Sequence, residues 1–210
     1  MKEVFIIFVT LSCFGLFHSV LSRESAKIAV ARYAGTAFVN AFYRLIYTIF
    51  SIVTTVIAFA VVRRLPDVGL FNTPVWLVWP MHLIQLAGLL FGASVFRVLD
   101  PWEFLGFRQA WSFICRREGD EGKVKDIEGL SRTGLVTVGP YRIVRHPLYA
   151  AGLIFFTFGP VITRNRLFVT ILADLYFVYG ALSEERRMLK RFGTEYREYM
   201  KRTPRFIPYF

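Results

Sequence analysis

The amino-acid sequence predicts an all-α integral membrane protein with about five transmembrane helices, a C-terminal helical hairpin and a cytoplasmic amphipathic tail. Hydrophobic residues make up 55% of its 210 residues, which exceeds the roughly 45–50% apolar content of average soluble chains. The excess is concentrated in five apolar runs, each close to the roughly 17–25 residues that a helix needs to cross a bilayer. The runs cover residues 4–22, 45–62, 75–96, 148–163 and 167–183.

The first run follows Lys2 and has no small-x-small cleavage motif near its end. We therefore expect a retained transmembrane helix rather than a signal peptide. Residues 22–34 predict a short interfacial helix that Ser22 caps and Gly35 ends. In the second run the polar side chains are mostly small hydroxyl groups, which often join helices, and we assign this run to the scaffold.

Two ionisable side chains lie within predicted spans. His82 in the third run and Asp174 in the fifth are at matched depth from the outer face. An ionisable residue inside a span indicates function by default and usually has a partner. We therefore predict that His82 pairs with Asp174, either as a structural pair or in a proton or substrate role.

The last two apolar runs predict a helical hairpin, because only residues 164–166 connect them. A hairpin returns Glu184, at the end of the fifth run, to the membrane face where His146 precedes the fourth run. Arg145 precedes His146, and Glu185 follows Glu184. Acids and bases from distant parts of the sequence are thus expected to meet at one interface and form a site.

The long polar segment before the hairpin contains Gly129, Gly134 and Gly139, spaced five residues apart. They do not form G-x-G-x-x-G after a strand, which disfavours a Rossmann cofactor site. They instead permit the backbone to approach a ligand closely. The tail, residues 184–208, predicts a basic amphipathic helix on lipid headgroups.

The net charge of +11 follows the predicted topology. With five spans, the segments on one side of the membrane carry 21 Lys and Arg residues, and those on the other side carry 5. Basic loops stay in the cytoplasm, so we expect the N-terminus outside and the C-terminus cytoplasmic. The basic side can attract anionic membrane lipid, and no nucleic-acid partner is expected. Two cysteines, without C-x-x-C or H-x-x-x-H spacing, predict no bound metal.

Several motifs near the C-terminus occur together: Tyr141-x-x-x-Arg145-His146-Pro147-Leu148-Tyr149, Glu184-Glu185, Phe192-Gly193-x-Glu195-Tyr196-x-x-Tyr199 and Arg202-x-Pro204. In order and spacing they resemble the isoprenylcysteine carboxyl methyltransferase superfamily. Two N-terminal motifs resemble the branch that contains methanethiol S-methyltransferases, NnrU-type proteins and nurim. These are Phe14-Gly15-Leu16-Phe17-His18-Ser19 and Glu103-Phe104-Leu105-Gly106-Phe107-Arg108-Gln109.

The resemblance implies S-adenosyl-L-methionine as the cofactor, in a pocket made by the segment before the fourth span and the tail. Glu184 can hold ribose hydroxyls or the amino group, and His146 and Arg145 can meet the carboxylate. Tyrosines can pack on adenine or face the sulfonium. Carried over by position, the cofactor-binding residues are Thr133, Gly134, Leu135, Val136, Tyr141, His146, Pro147, Leu148, Tyr149 and Glu184.

One departure from the superfamily concerns the methyl acceptor. The prenylcysteine methyltransferases resemble one another in an arginine that contacts the substrate carboxylate, four residues before the cofactor-binding glutamate. Here that position is Gly180. A small or lipophilic thiol is therefore favoured over a prenylcysteine, with a carboxylate as the other acceptor class. Arg108 and His18 are expected to steady the thiolate, and Arg145 completes the set of catalytic candidates.

Two other functions stay open. A nurim-like, non-catalytic membrane protein would keep the spans but lose the cofactor residues, and the intact Arg145-His146-Pro147 and Glu184 argue against it. A phospholipid or amine N-methyltransferase would use the same cofactor site on a headgroup nitrogen. For domain organisation, we expect residues 1–128 to form the N-terminal scaffold with the cytoplasmic loop, and residues 129–210 to form the cofactor-binding core.

Overall fold

The computed structural model of the protein describes residues 1–115 and 134–208. Within these ranges the chain forms nine α-helices, two 3-10 turns and one two-stranded antiparallel sheet. The helices are α1 (Lys2–Leu21), α2 (Glu24–Ala34), α3 (Thr36–Arg63), α4 (Val75–Ala93), α5 (Pro101–Leu105), α6 (Phe107–Ile114), α7 (Pro147–Thr157), α8 (Arg164–Phe192) and α9 (Thr194–Arg202). The strands are β1 (Gly69–Phe71) and β2 (Ile162–Thr163), and the 3-10 turns are Ser94–Arg97 and Gly139–Arg142.

Four of these helices are long and apolar enough to cross a membrane: α1, α3, α4 with its following turn, and α8. Many of their large apolar side chains are exposed, and extended apolar surface of this kind is typical of contact with lipid. The predicted class, an all-α multi-pass membrane protein, is confirmed. The described residues also contain one shorter apolar helix, α7.

Helix α7 ends earlier than the fourth predicted span. The apolar run extends to Thr163, but α7 covers only Pro147–Thr157. Its rise is about 16 Å, whereas the hydrocarbon core of a bilayer is roughly 30 Å thick. Pro160 explains the difference, because proline has no N–H to continue the helix and disfavours helical backbone at Gly159. The chain then leads into β2, which pairs with β1.

Neighbouring helices satisfy main-chain carbonyls at the end of α7, where a helix leaves such groups without intrahelical partners. Gln85 of α4 donates its side-chain amide to the carbonyl of Phe155 at 2.6 Å. Thr170 of α8 donates its hydroxyl to the carbonyl of Phe156 at 3.3 Å. These bonds let a short helix end in apolar surroundings, where an unsatisfied carbonyl is costly.

Helix termini from several parts of the sequence meet at one end of the bundle. Arg164, the first residue of α8, donates its main-chain N–H to the carbonyl of Val68 at 2.9 Å, and its guanidinium lies 3.3 Å from the Glu3 carboxylate. Thr73, just before α4, donates its hydroxyl to the carbonyl of Pro160 after α7. This end therefore holds the starts of α1, α4 and α8 and the connection that follows α7.

Small residues let α7 pack closely against α4 and α8. A Cβ added at Gly92 would lie 2.6 Å from the Cβ of Ala151, and one added at Gly152 would lie 2.7 Å from the ring of Phe177. Small residues at such positions allow helix backbones to approach within a membrane. This packing fixes the position of α7, and with it the position of His146 at its start.

The chain divides into two compact units. The first comprises residues 1–8, residues 66–98 and the described residues after 130, and the second comprises residues 9–65 and the described residues from 99 to 115. In the second unit, α2, α5 and α6 pack on α3. The predicted division between residues 1–128 and 129–210 stays a prediction.

Two local predictions are wrong. Ser22 does not cap α2, because the N-cap residue is Arg23 and the Ser22 hydroxyl donates to the carbonyl of Ser19. The hydroxyl is thus used by the end of α1.

The second wrong prediction is the pairing of His82 with Asp174. His82 Nδ1 lies 3.0 Å from Gln85 Oε1, one turn along the same helix, and Asp174 accepts a hydrogen bond from Thr157 at 2.9 Å. Within the described part of the chain, His82 and Asp174 form no hydrogen bond or ion pair with each other. Equal depth in the membrane does not decide which side chains face one another. Here α7 lies beside both helices, and it accepts from Gln85 of α4 through the Phe155 carbonyl and donates to Asp174 of α8 through Thr157.

Candidate functional site

The candidate site lies in the first unit, where α7 begins. Gly139, at φ +62°, opens the 3-10 turn before it. A Cβ added there would lie 2.6 Å from Val98 Cγ2, so glycine permits the turn to approach Val98. His146 is the residue before α7, and Pro147 takes the first helical position, where its missing N–H costs nothing. The turn and the proline together determine where His146 is presented.

Glu185 is the centre of a buried charge cluster. Its carboxylate accepts hydrogen bonds from Arg145 Nη2 at 2.7 Å and Nε at 2.9 Å. It also accepts from Arg205 Nη2 at 2.7 Å and Nε at 3.0 Å. The Glu185 side chain is 5% exposed and that of Arg145 is 8% exposed. Burying a carboxylate is costly unless it is paired and hydrogen-bonded, and two guanidinium groups meet that requirement here.

The imidazole of His146 connects this cluster to a second carboxylate. Its Nε2 lies 3.3 Å from Glu185 Oε1, and its Nδ1 lies 3.6 Å from Glu184 Oε2. The rings of Tyr149 and Phe206 pack beside it, with centroid distances of 5.6 Å and 6.0 Å. His146 is buried, so these contacts fix the orientation of its ring.

Glu184 differs from its neighbour in exposure and in partners. Its side chain is 28% exposed, and among the described residues His146 is the one hydrogen-bonding or ionic partner of its carboxylate. Burial, and then the negative charge of Glu184, raise the pKa of the Tyr141 phenol, which therefore stays neutral beside the carboxylate. Among residues 1–115 and 134–208, Glu184 thus keeps oxygen lone pairs available to a ligand, whereas the Glu185 carboxylate is engaged by two guanidinium groups.

The end of the chain is bonded to the start of α7. We call residues 203–206 the C-terminal strap. Arg145 donates its main-chain N–H to the carbonyl of Pro204 at 2.8 Å, and His146 donates to that of Arg205 at 3.3 Å. The Arg145 guanidinium also donates to the carbonyl of Thr203 at 2.6 Å. Arg145 is therefore bonded to both Glu185 and the strap.

Helix α9 packs on the C-terminal part of α8. Its tyrosines, Tyr196 and Tyr199, form a hydrophobic cluster with Met188, against which Leu135 packs. Tyr199 donates its hydroxyl to the carbonyl of Tyr141 at 2.5 Å. The tail thereby contacts two of the residues predicted to bind the cofactor, Leu135 and Tyr141.

The remaining predicted cofactor residues have varied surroundings. Gly134 has φ +129°, with open space around the position of a Cβ, and Val136 is half-buried. Pro147 is fully buried, and Leu148 is 37% exposed. Thr133 lies outside the described residues.

Tyr149 contacts Gly180, the position at which the sequence departs from the prenylcysteine methyltransferases. A Cβ added at Gly180 would lie 3.3 Å from the Tyr149 hydroxyl and 3.4 Å from its ring. Tyr149 also packs near the ring of Phe177, at a centroid distance of 6.2 Å. The ring of Tyr149 therefore occupies the space over Gly180, between α7 and α8.

His18 and Arg108, two of the three catalytic candidates, belong to the second unit and have partners there. His18 Nε2 lies 2.7 Å from the Tyr47 hydroxyl, and its Nδ1 lies 3.1 Å from Ser51 Oγ. Arg108 forms an ion pair with Asp100 at 2.7 Å, and its side chain is 57% exposed. The structure thus shows His18 joining α1 to α3, and Arg108 at an exposed ion pair beside α5.

Sequence reasoning missed the role of Glu185 and of the strap. The paired glutamates and Arg202-x-Pro204 were visible as motifs, but nothing local indicates that Arg205 reaches Glu185 from 20 positions away.

Within residues 1–115 and 134–208, no group of three or more His, Cys, Asp or Glu side chains is placed to hold a metal ion.

The chain is similar over nearly its whole length to several curated proteins. Methanethiol S-methyltransferase 2 of Bradyrhizobium diazoefficiens is 28% identical, over 99% of this chain and 74% of the relative. Methanethiol S-methyltransferase 1 of the same organism is 25% identical, over 99% and 68%. Methanethiol S-methyltransferase of Pseudomonas deceptionensis is 27% identical, over 94% and 70%. No protein-family profile matches the chain, and no solved structure matches it significantly.

Proposed function

Since these homologues identify the chain as a methyltransferase of the isoprenylcysteine carboxyl methyltransferase-like branch, we propose that it transfers a methyl group from S-adenosyl-L-methionine to a small or lipophilic thiol. The reaction takes place at the membrane surface, at the end of the bundle where α7 begins. The observation that carries this proposal is the position of Glu184 beside His146 and Tyr141, on the one face where hairpin and tail converge.

The chemistry of the site fits this cofactor. Ribose hydroxyls and an ammonium group need an acceptor that is not already saturated, and Glu184 is a carboxylate with one described partner. Hydrogen bonds to an ionised acceptor are among the strong ones. The aromatic rings of Tyr141 and Tyr149 offer faces to an adenine or a sulfonium cation. Glu184, Tyr141, His146 and Tyr149 would therefore hold it.

When bound, S-adenosyl-L-methionine supplies a methyl group on a positively charged sulfur. The chain's own task is to hold that group in line with the acceptor and to exclude water. Orientation alone can supply about 7–11 kcal/mol of a barrier. Transfer to a thiol would form a carbon–sulfur bond at the acceptor, the electron pair of the broken methyl–sulfur bond would leave with the demethylated cofactor, and the thiol proton would pass to solvent. A thiolate needs no strong protein base for this step.

The acceptor class follows from Gly180 and from the relatives. The relatives are named for methyl transfer to methanethiol, and Gly180 offers no charge to a substrate carboxylate. The Tyr149 ring lies over Gly180, and Phe177 packs near that ring, so the side chains beside Gly180 are aromatic rather than charged. A small apolar thiol fits these surroundings better than a prenylcysteine carboxylate does.

We propose different roles for the three catalytic candidates. Arg145 is bonded to Glu185 and to the strap. We therefore propose that it holds these parts of the chain together and does not bind the cofactor carboxylate. Steadying of the thiolate by Arg108 and His18 stays a prediction. If it holds, Arg108→Gln and His18→Phe lower the turnover of thiols without weakening cofactor binding.

The proposal is tested by product analysis. The purified protein is incubated with cofactor that carries an isotopically labelled methyl group and with a panel of methanethiol, longer alkanethiols, a prenylcysteine and ethanolamine phospholipid. Mass spectrometry should find the label in thioethers of the small thiols. Label in the prenylcysteine ester or in the phospholipid alone would transfer the assignment to another acceptor, and label in none of them would refute it.

A further inference from the structure

We propose that Glu185 is a positioning residue that fastens the C-terminal strap, and that the fastened strap forms one wall of the cofactor site at Glu184 and His146. This inference rests on the proposed function for the identity of the ligand. It assigns a role to the second glutamate of the pair and to residues 203–206, and it distinguishes both from Glu184, the proposed cofactor-binding residue.

The first step is that one carboxylate holds both parts of the chain together. Glu185 accepts hydrogen bonds from Arg145, before α7, and from Arg205, in the strap. Arg145 in turn donates to the carbonyls of Met200 and Thr203. The single negative charge of Glu185 thus bridges two guanidinium groups that converge on it.

The second step is that loss of this charge acts on the strap. Without a carboxylate at 185, the Arg145 guanidinium, which is 8% exposed, and the Arg205 guanidinium lose the acceptor that they share. The two cations that Glu185 holds together then repel each other, and removal of one partner of a buried charge pair is strongly unfavourable. Arg205 is the more exposed of the two, at 35%, so the strap is the part that is expected to separate.

The third step connects the strap to the cofactor site. His146 contacts Glu185 through Nε2 and Glu184 through Nδ1. One imidazole therefore contacts both Glu185, which anchors the strap, and Glu184 in the proposed cofactor site. The ring of Phe206, in the strap, packs 6.0 Å from that imidazole, and His146 donates its main-chain N–H to the carbonyl of Arg205. A ligand held by Glu184 would therefore lie beside a group that the strap orients.

The coupling between the strap and the cofactor site can be measured, because it must act in both directions. If the fastened strap favours cofactor binding, the bound cofactor must favour the fastened strap by the same factor. The main-chain N–H groups of Arg145 and His146 donate to strap carbonyls, so their hydrogen exchange reports whether the strap is in place. A purely structural anchor would not respond to the cofactor.

The experiment measures hydrogen exchange in peptides covering residues 143–147, and S-adenosyl-L-methionine binding by calorimetry, in the full-length protein. In the wild type, saturating cofactor should slow exchange of these amides by at least about threefold. Glu185→Gln and Arg205→Gln should each speed exchange and weaken cofactor binding by about tenfold or more. Because both substitutions release the same anchor, the double variant should be no more than about twofold weaker than the weaker single variant.

Glu198→Gln is the matched control, because its carboxylate forms an exposed pair with Lys201 in the same tail. It should leave exchange and affinity unchanged. Arg205→Gln keeps the test valid if Glu185→Gln fails to fold, since Arg205 is partly exposed. If the wild type binds the cofactor but exchange does not respond, or if both variants bind normally, the strap proposal is overturned and the proposed function stands. If the wild type does not bind the cofactor, the proposed function itself fails.

Discussion

The side-chain amide of Gln85 donates a 2.6 Å hydrogen bond to the main-chain carbonyl of Phe155. This bond joins the middle of α4 to the last turn of α7, and Gln85 is buried where it is made. Gln85 Oε1 also lies 3.0 Å from His82 Nδ1, which orients the amide toward α7. Polar side chains inside this bundle therefore serve to end a short helix.

Gln85→Leu should destabilise the bundle by about 1–3 kcal/mol, the usual cost of leaving a buried hydrogen-bonding group without its partner. Equilibrium unfolding in detergent measures the change. Leu86→Ile, at an exposed position of the same helix, is the control and should unfold like the wild type. Equal unfolding of all three proteins would show that the carbonyl does not depend on Gln85.

Asp174 should be coupled energetically to Thr157 and not to His82, because its carboxylate accepts from the Thr157 hydroxyl. A double-mutant cycle of Asp174→Asn with Thr157→Val should give a coupling energy of about 0.5–1.7 kcal/mol, as for other hydrogen bonds between membrane helices. The same cycle with His82→Ala should be additive. Coupling to His82 alone would restore the pairing that matched depth predicts.

The charge distribution and the ion pair at one end of the bundle together predict the membrane topology. Because Glu3 and Arg164 form an ion pair, we expect the N-terminus and the α7–α8 connection to face the same side, outside, with the C-terminus in the cytoplasm. A reporter that is active only in the cytoplasm should work at Phe210 and fail at Met1. Activity at Met1, or at neither end, would contradict this orientation and the five-crossing path.

Patterns local in sequence predicted most of the fold. The apolar runs located α1, α3, α4 and α8, because membrane helices depend on length and composition rather than on particular partners. The prediction failed at α7, where Gly159-Pro160 is a local signal of a helix end that the apolar run obscured. It failed again for Asp174, since depth along a helix does not fix the direction in which a side chain points.

The site was predictable only in part, for a related reason. The three-residue connection implies a hairpin, and a hairpin places Glu184 near His146. In the structure, Glu184 Oε2 lies 3.6 Å from His146 Nδ1. The role of Glu185 depends instead on Arg145, 40 positions before it, and on Arg205, 20 positions after it. Contacts of that separation leave no periodicity in the sequence. No local pattern therefore assigns a role to Glu185, although its carboxylate has more partners among the described residues than that of Glu184.

Calorimetric titration of the purified protein with S-adenosyl-L-methionine tests the central proposal most directly. The wild type should bind, and Glu184→Gln, which keeps the shape of the side chain but removes its charge, should bind about 10- to 150-fold more weakly, because hydrogen bonds to a charged group contribute about 1.5–3 kcal/mol. Glu198→Gln, on the exposed face of the tail, should bind like the wild type. Absence of binding by the wild type, or equal binding by the wild type and Glu184→Gln, would contradict a cofactor site at Glu184.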